Sequence, residues 1–193
     1  MKEADYITQY IEMEKEMLEV VDKGEIQSVL DVMMETYQAG GTIYVFGNGG
    51  SATTASHMAN DFNKGVSEYV ERKFKICCLN DSVATMLSIA NDISYEEIYR
   101  FQLRGKLQPE DLVIGFSGSG NSANVLHAVS YAKEQGVKTV GFCGFGGGKL
   151  KEIADYSFYV PLNNMKVVED LHLMMNHLLM YAVEKILGIT VAC

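Results

Sequence analysis

Two kinds of hydrophobic spacing alternate along this chain. Residues 4–22 and 25–39 set apolar side chains three and four apart, as in Ile26, Val29, Leu30, Met33 and Met34. That period predicts two helices, and Gly40-Gly41 closes the second. Short, nearly continuous apolar runs then take over: Thr42–Phe46, Phe74–Leu79, Asp111–Phe116, Thr139–Cys143 and Tyr156–Val160, each followed by a turn and a helical pattern. Strands that are apolar on both sides and alternate with helices predict a parallel sheet covered on both faces, an α/β fold. A Leu- and Met-rich stretch from about Lys166 to Leu187 predicts a long final helix. Neither a Pro/Ser-rich linker nor a charge block divides the chain. The reading is therefore one domain over 1–193, with an N-terminal helical hairpin at 1–40 and an α/β core plus C-terminal helix at 41–193. The hairpin carries more apolar positions than a single copy covers, which suits packing on the sheet or an interface between copies.

Composition narrows the picture. With 193 residues, 48% hydrophobic, 21% charged and 2 Pro, the chain can bury a real core, and collagen-like, disordered and disulfide-stapled classes are excluded. No apolar run nears the ~20 residues of a bilayer span, and the start, Met-Lys-Glu-Ala-Asp-Tyr, lacks the apolar core of a signal peptide. A cytoplasmic protein with no membrane partner is expected. The formal net charge of −9 opposes attraction to phosphate backbones, so no nucleic-acid partner is expected. Cys77, Cys78, Cys143 and Cys193 lack zinc-knuckle spacing and read as reduced thiols in apolar surroundings, with Cys77 and Cys78 on opposite faces of a strand.

In an open α/β sheet, ligands sit where strand carboxyl ends meet helix amino ends. Two such loops are unusual. Gly47-Asn48-Gly49-Gly50-Ser51 follows the first strand, and Ser117-Gly118-Ser119-Gly120-Asn121-Ser122 follows the third. Glycines let backbone approach an anion, helix starts offer unpaired N–H groups, and hydroxyls add donors; this is chemistry for holding phosphate. Neither loop is a Walker A or a dinucleotide fingerprint. Gly144-Phe145-Gly146-Gly147-Gly148 has no hydroxyl cluster and reads as a flexible turn. Among the histidines, His57 stands four residues before Asp61, about 40° around a helix, within reach of one metal or substrate. Glu169 and His177 are eight apart, about 80° around and ~12 Å along, so they face one cleft but meet one ion only with favourable geometry or a second subunit. His172, about 140° from His177, reads as packing or secondary, and His127 as a tolerated helix histidine.

Taken together, Gly47–Ser51, His57, Asn91-Asp92, Phe116–Asn124 and Glu169–His177 resemble the sugar isomerase (SIS) domain family, in particular its phosphoheptose isomerases, in motif order and spacing over nearly the whole chain. The resemblance implies a single SIS domain with a flavodoxin-like parallel sheet between helices, assembled as a homotetramer with active sites built across subunits. It matches Ser117, Ser119 and Ser122 to the serines that hold the sugar phosphate. The surrounding Asn48, Gly49, Gly50, Ser51, Asn91, Asp92, Gly118 and Asn121 fall in the same substrate-binding set. The family's active-site acid falls on Asp61 and its acid/base histidine on His177. A divalent metal, zinc, is implied at His57, Asp61, Glu169 and His177.

Three positions depart from the family pattern. Asp61 is one methylene shorter than the usual glutamate, which withdraws a base by ~1 Å and can cost on the order of 10²-fold in rate. Glu169 replaces a glutamine, and Gly118 a threonine. The implied reaction converts sedoheptulose 7-phosphate, through an enediol, to D-glycero-D-manno- or altro-heptose 7-phosphate for heptose and polysaccharide synthesis. Asp61 or Glu169 would take the C1 proton and His177 would serve the oxygens. Two other readings are a non-catalytic regulator that binds sugar phosphate or protein, and an isomerase of another phosphosugar.

Overall fold

A computed structural model describes residues 5–190. Both N-terminal helices form, α1 at Tyr6–Val20 and α2 at Lys23–Ala39. Asp5 and Asp22 cap them by accepting hydrogen bonds from the backbone N–H groups of Thr8 and Gly24, and Gly40 ends α2 in the left-handed conformation at φ 78°. The chain continues as β1 (Ile43–Gly47), α3 (Gly50–Asn60), β2 (Ile76–Cys78), α4 (Val83–Asp92), α5 (Arg100–Leu103) and β3 (Leu112–Ser117). Then follow α6 (Ala123–Glu134), β4 (Lys138–Cys143), α7 (Gly148–Ile153), β5 (Tyr156–Tyr159) and α8 (Met165–Ile186). The strands are parallel in the order β2-β1-β3-β4-β5, the flavodoxin-like order expected.

The two-residue period of each strand sorts side chains into two cores. Ile43, Val45, Ile114, Phe116, Val140 and Phe142 join a cluster with α2, α3 and α8, whereas Tyr44, Phe46, Val113 and Cys143 join one with α4, α6 and α7. Helix α1 packs on α8, and α2 on β5 and α8, so the N-terminal hairpin is an open one. Its outer face leaves Tyr6, Ile7, Ile11, Leu18 and Val20 exposed. Among the described residues, no helix is long and apolar enough to cross a membrane. Burial pushes the thiols of Cys78 and Cys143 up to about 12. Cys77 departs from the expectation of apolar surroundings: β2 is an edge strand, and its outer face leaves Cys77 exposed. Cys193 lies outside the described residues.

What positions the site is the reversal of strand order at β1. After β1 the chain crosses to β2, then returns to lay β3 on the other side of β1. Helix α3 therefore leaves β1 onto one face and α6 leaves β3 onto the other, which opens a crevice between their first turns.

His172 is a packed histidine, as its angular position suggested. It is 1% exposed, its ring centroid lies 5.6 Å from that of Phe142 and 6.0 Å from that of Phe158, and Nε2 lies 3.3 Å from the Cys143 carbonyl. Burial pushes its pKa down to about 4, because no solvent is present to stabilise an imidazolium. Above the unfolded value of ~6.5 both states are neutral and the contribution to stability is full. As pH falls, the unfolded chain takes up the proton first, and stability drains until the folded pKa is reached. Between pH 7 and pH 4 the wild-type chain is expected to lose about 3 kcal/mol more than His172→Phe. Urea midpoints at the two pH values measure the difference, and parallel losses in both proteins would contradict it.

Candidate functional site

The crevice holds a pocket of about 170 Å³ between the two glycine-rich loops, lined by Asn48, Ser51, Ser117, Ser119, Ser122 and Glu169 among others. That is below the ~300–1,000 Å³ of sites that enclose a whole small molecule, so it suits a head group. Ser117 is buried and donates to the Ser122 hydroxyl at 3.1 Å. Ser122 is the N-cap residue of α6, but its side chain makes no capping hydrogen bond; Val125 N–H goes to Asn124 Oδ1, and the N–H groups before it are left for a ligand. Gly118 has a physical reason: the space a side chain would take there is filled by the sulfur of Met165.

Asn124, Asn80 and Tyr99, which sequence reasoning did not place in the site, hold the loops. Asn48 and Asn124 exchange amide hydrogen bonds at 2.8 and 2.9 Å, tying the first loop to α6. Asn80 clamps Gly47 from both sides, accepting from its N–H at 3.1 Å and donating to its carbonyl at 2.8 Å. The Tyr99 hydroxyl donates to that same carbonyl at 2.5 Å, and burial raises its pKa to about 12, so it remains a donor. Asn124 ends the serine-rich motif and was legible as part of it; no local signal marks Asn80 or Tyr99. Nor is the Gly144–Gly148 segment a mere flexible turn. Gly144 N–H donates to the Gly118 carbonyl and Leu150 N–H to the Gly120 carbonyl, both at 2.9 Å, and the side-chain oxygen of Asn121 accepts from Lys149 N–H at 3.2 Å. The segment braces the serine loop from behind.

At the far end of the crevice, His57 near the end of α3, Asp61 and His177 on α8 converge. Nε2 of His57 lies 3.0 Å from Nε2 of His177 and 3.2 Å from Asp61 Oδ2, and His177 Nε2 lies 3.7 Å from that oxygen. Asp61 opens a π-helical turn, Asp61–Val66, that interrupts the regular helix where its side chain must reach across to α8. The histidines are about half exposed and Asp61 is mostly buried. The donor set suits a divalent ion. Tetrahedral coordination at ~2.0–2.1 Å sets ligand atoms ~3.3 Å apart, and 3.0, 3.2 and 3.7 Å bracket that value.

Helices α3 and α8 run side by side in the same direction. Gly50 meets Glu169 at one end, and His57 meets His177 at the other. Glu169 is therefore separated from the other three expected metal ligands: among the described residues, only His57, Asp61 and His177 bring ligand atoms within 4.8 Å of one another. The reason is helix geometry, since eight residues put Glu169 ~12 Å from His177 along α8. Its carboxylate lies against the first turn of α3, where the helix dipole favours an anion. Asn91 and Asp92 are also not brought to the pocket by this chain. They stand exposed at the end of α4, and Asn91 donates to Asp92 at 2.8 Å. Gly49 and Asn121 lie in the two loops and Gly50 opens α3, with Asn121 exposed and bonded to Ser119. His127 pairs with Glu97 at 3.1 Å, outside both parts of the site.

The family model described as SIS domain matches residues 5–144. Phosphoheptose isomerase of Synechocystis sp. is 36% identical over 154 residues, covering 80% of this chain and 79% of its own. That of Thermodesulfovibrio yellowstonii is 37% identical over 164 residues, covering 84% and 80%. A solved phosphoheptose isomerase from Francisella tularensis superposes with a TM-score of 0.87 at 23% identity, over 96% of this chain and 100% of its own. The chain belongs to the SIS domain family, in the branch of the phosphoheptose isomerases.

Proposed function

We infer that this chain isomerises a ketose phosphate to an aldose phosphate, with sedoheptulose 7-phosphate as substrate and D-glycero-D-manno- or altro-heptose 7-phosphate as product. One observation carries the reading. The parallel α3–α8 pair has an anion pocket at its amino end and an acid with two imidazoles at its other end, ~9–12 Å further along, a span suited to a phosphate at one end of a sugar and a carbonyl at the other. Ser117, Ser119, Ser122 and the first turn of α6 bind the phosphate, and Asn48, Ser51 and the glycines of both loops shape the pocket around it. Binding energy from this remote group orients the reacting carbons.

At the other end, Asp61 takes a proton from C1 of the ketose to leave the enediol and returns it to C2. His177, with His57 as hydrogen-bond partner, moves the proton between the two oxygens. Asp61 has this role rather than Glu169, because Glu169 sits with the phosphate end. There it accepts hydrogen bonds from substrate hydroxyls. A divalent cation, zinc, would be held by His57, Asp61 and His177 in place of the hydrogen bond between the two imidazoles, and would polarise the substrate carbonyl.

The chain functions as one SIS unit in the cytoplasm, as a homotetramer. Supporting the oligomer, Leu178, Tyr181 and Ile186 on α8 are exposed, and Leu178 lines an apolar groove together with Leu18 of α1. A non-catalytic regulator is disfavoured because the acid and both imidazoles are kept in contact. Incubation with sedoheptulose 7-phosphate, followed by NMR, tests the reading. Turnover is expected, reduced at least tenfold by a chelator and restored by Zn²⁺. Binding without turnover in either condition would favour the regulator, and faster turnover of C5 or C6 ketose phosphates would move the assignment to another phosphosugar.

A further inference from the structure

Beneath the triad lies a polar group that the chemistry above does not use. Asn176 precedes His177 on α8 and is 0% exposed, and its Nδ2 donates to Asp61 Oδ2 at 2.7 Å, closer than either imidazole approaches that oxygen. The amide cannot be reversed, since its oxygen would then face a carboxylate that only accepts. In this orientation Asn176 Oδ1 is buried without a partner among the described residues. A buried orphaned acceptor is destabilising, and a leucine of similar volume would avoid it, so packing alone does not account for an amide here.

We propose that Asn176 is a positioning residue for Asp61. An aspartate side chain is short, and that of Asp61 must be drawn toward the histidines to complete the set. The amide from α8 holds Oδ2 in place on one side and leaves its other lone pair directed at His57 and His177. Carboxylates that hold metals are commonly fixed by such an outer hydrogen bond. The inference rests on the isomerase reading and refines its active-site geometry.

The test compares wild type, Asn176→Leu and the double variant Asn176→Leu/Asp61→Glu by Zn²⁺ titration, steady-state kinetics and thermal melting. N176L removes the orphan but also a donor to the mostly buried Asp61 carboxylate, two effects of opposite sign, so its Tm is expected to stay within a few degrees of wild type. Its Zn²⁺ affinity and kcat are expected to fall roughly 10–100-fold while KM stays within about threefold. In the double variant the longer acid reaches without a tether, and Zn²⁺ affinity returns to within about threefold of wild type. Asn176→Ala serves in the same comparison if N176L melts early, and it must show the same split between kcat and KM. Zn²⁺ affinity and kcat of the N176 variants within about twofold of wild type overturn the proposal, as does failure of the longer acid to recover affinity. A wild-type chain that binds Zn²⁺ without turning over ketose phosphate rejects the isomerase reading and leaves the affinity comparison to judge Asn176. One that does neither overturns both.

Discussion

His177→Ala lowers kcat by roughly 10²–10⁴-fold, the range that a positioned acid/base group contributes. The variant loses the only imidazole that α8 directs at Asp61 and His57, at 3.7 and 3.0 Å, and with it one corner of the triad. Two controls separate this from general damage. The side chain is about half exposed and on the surface of α8, so Tm should stay within a few degrees of wild type. The phosphate pocket lies two helical turns away, so affinity for a phosphosugar should change less than about threefold. A kcat within threefold of wild type would remove the proton-transfer role from His177, and an equal loss in kcat and binding would mean that the two ends of the site are not independent.

Gly120→Ala destabilises the fold by roughly 2–5 kcal/mol, the sum of a left-handed backbone for a residue with a side chain and of overpacking. Gly120 sits at φ 66°, and an added Cβ would overlap the carbonyl of Gly147. That neighbour is backbone and cannot rotate away. Relief requires the Gly144–Gly148 brace to withdraw, which strains the Leu150 N–H to Gly120 carbonyl bond at 2.9 Å and loosens the serine loop in front of it. Chemical denaturation measures the first effect, and a rise in KM for the phosphorylated substrate measures the second. Unchanged stability and KM would show that the brace is not needed to shape the loop.

The local elements were legible because their causes are local. A helical period with Asp caps and a terminal glycine forms α1 and α2 wherever they sit, and doubly apolar runs can be satisfied only inside a covered parallel sheet. The two glycine loops and the four-residue step from His57 to Asp61 could be read for the same reason: each lies within one loop or one turn. From the amino-acid order alone come the α/β class, the phosphate-type loops and the placing of an acid beside a histidine.

Contacts between elements were a different matter. Glu169 and His177 share a helix, and only the packing of α8 along α3 put one beside Gly50 and the other beside His57, splitting a four-residue metal set into a triad and a pocket carboxylate. Asn80, Tyr99 and Asn176 became visible only when residues 33, 52 and 115 positions away along the chain were brought into hydrogen-bond range. Asn91 and Asp92 carried the right residue types but ended on an exposed helix terminus. Periodicity says which face of a helix is buried; it does not say against which neighbour, or in what register. Those choices depend on how all the apolar faces close over the sheet at once, and they decided which side chains share the site.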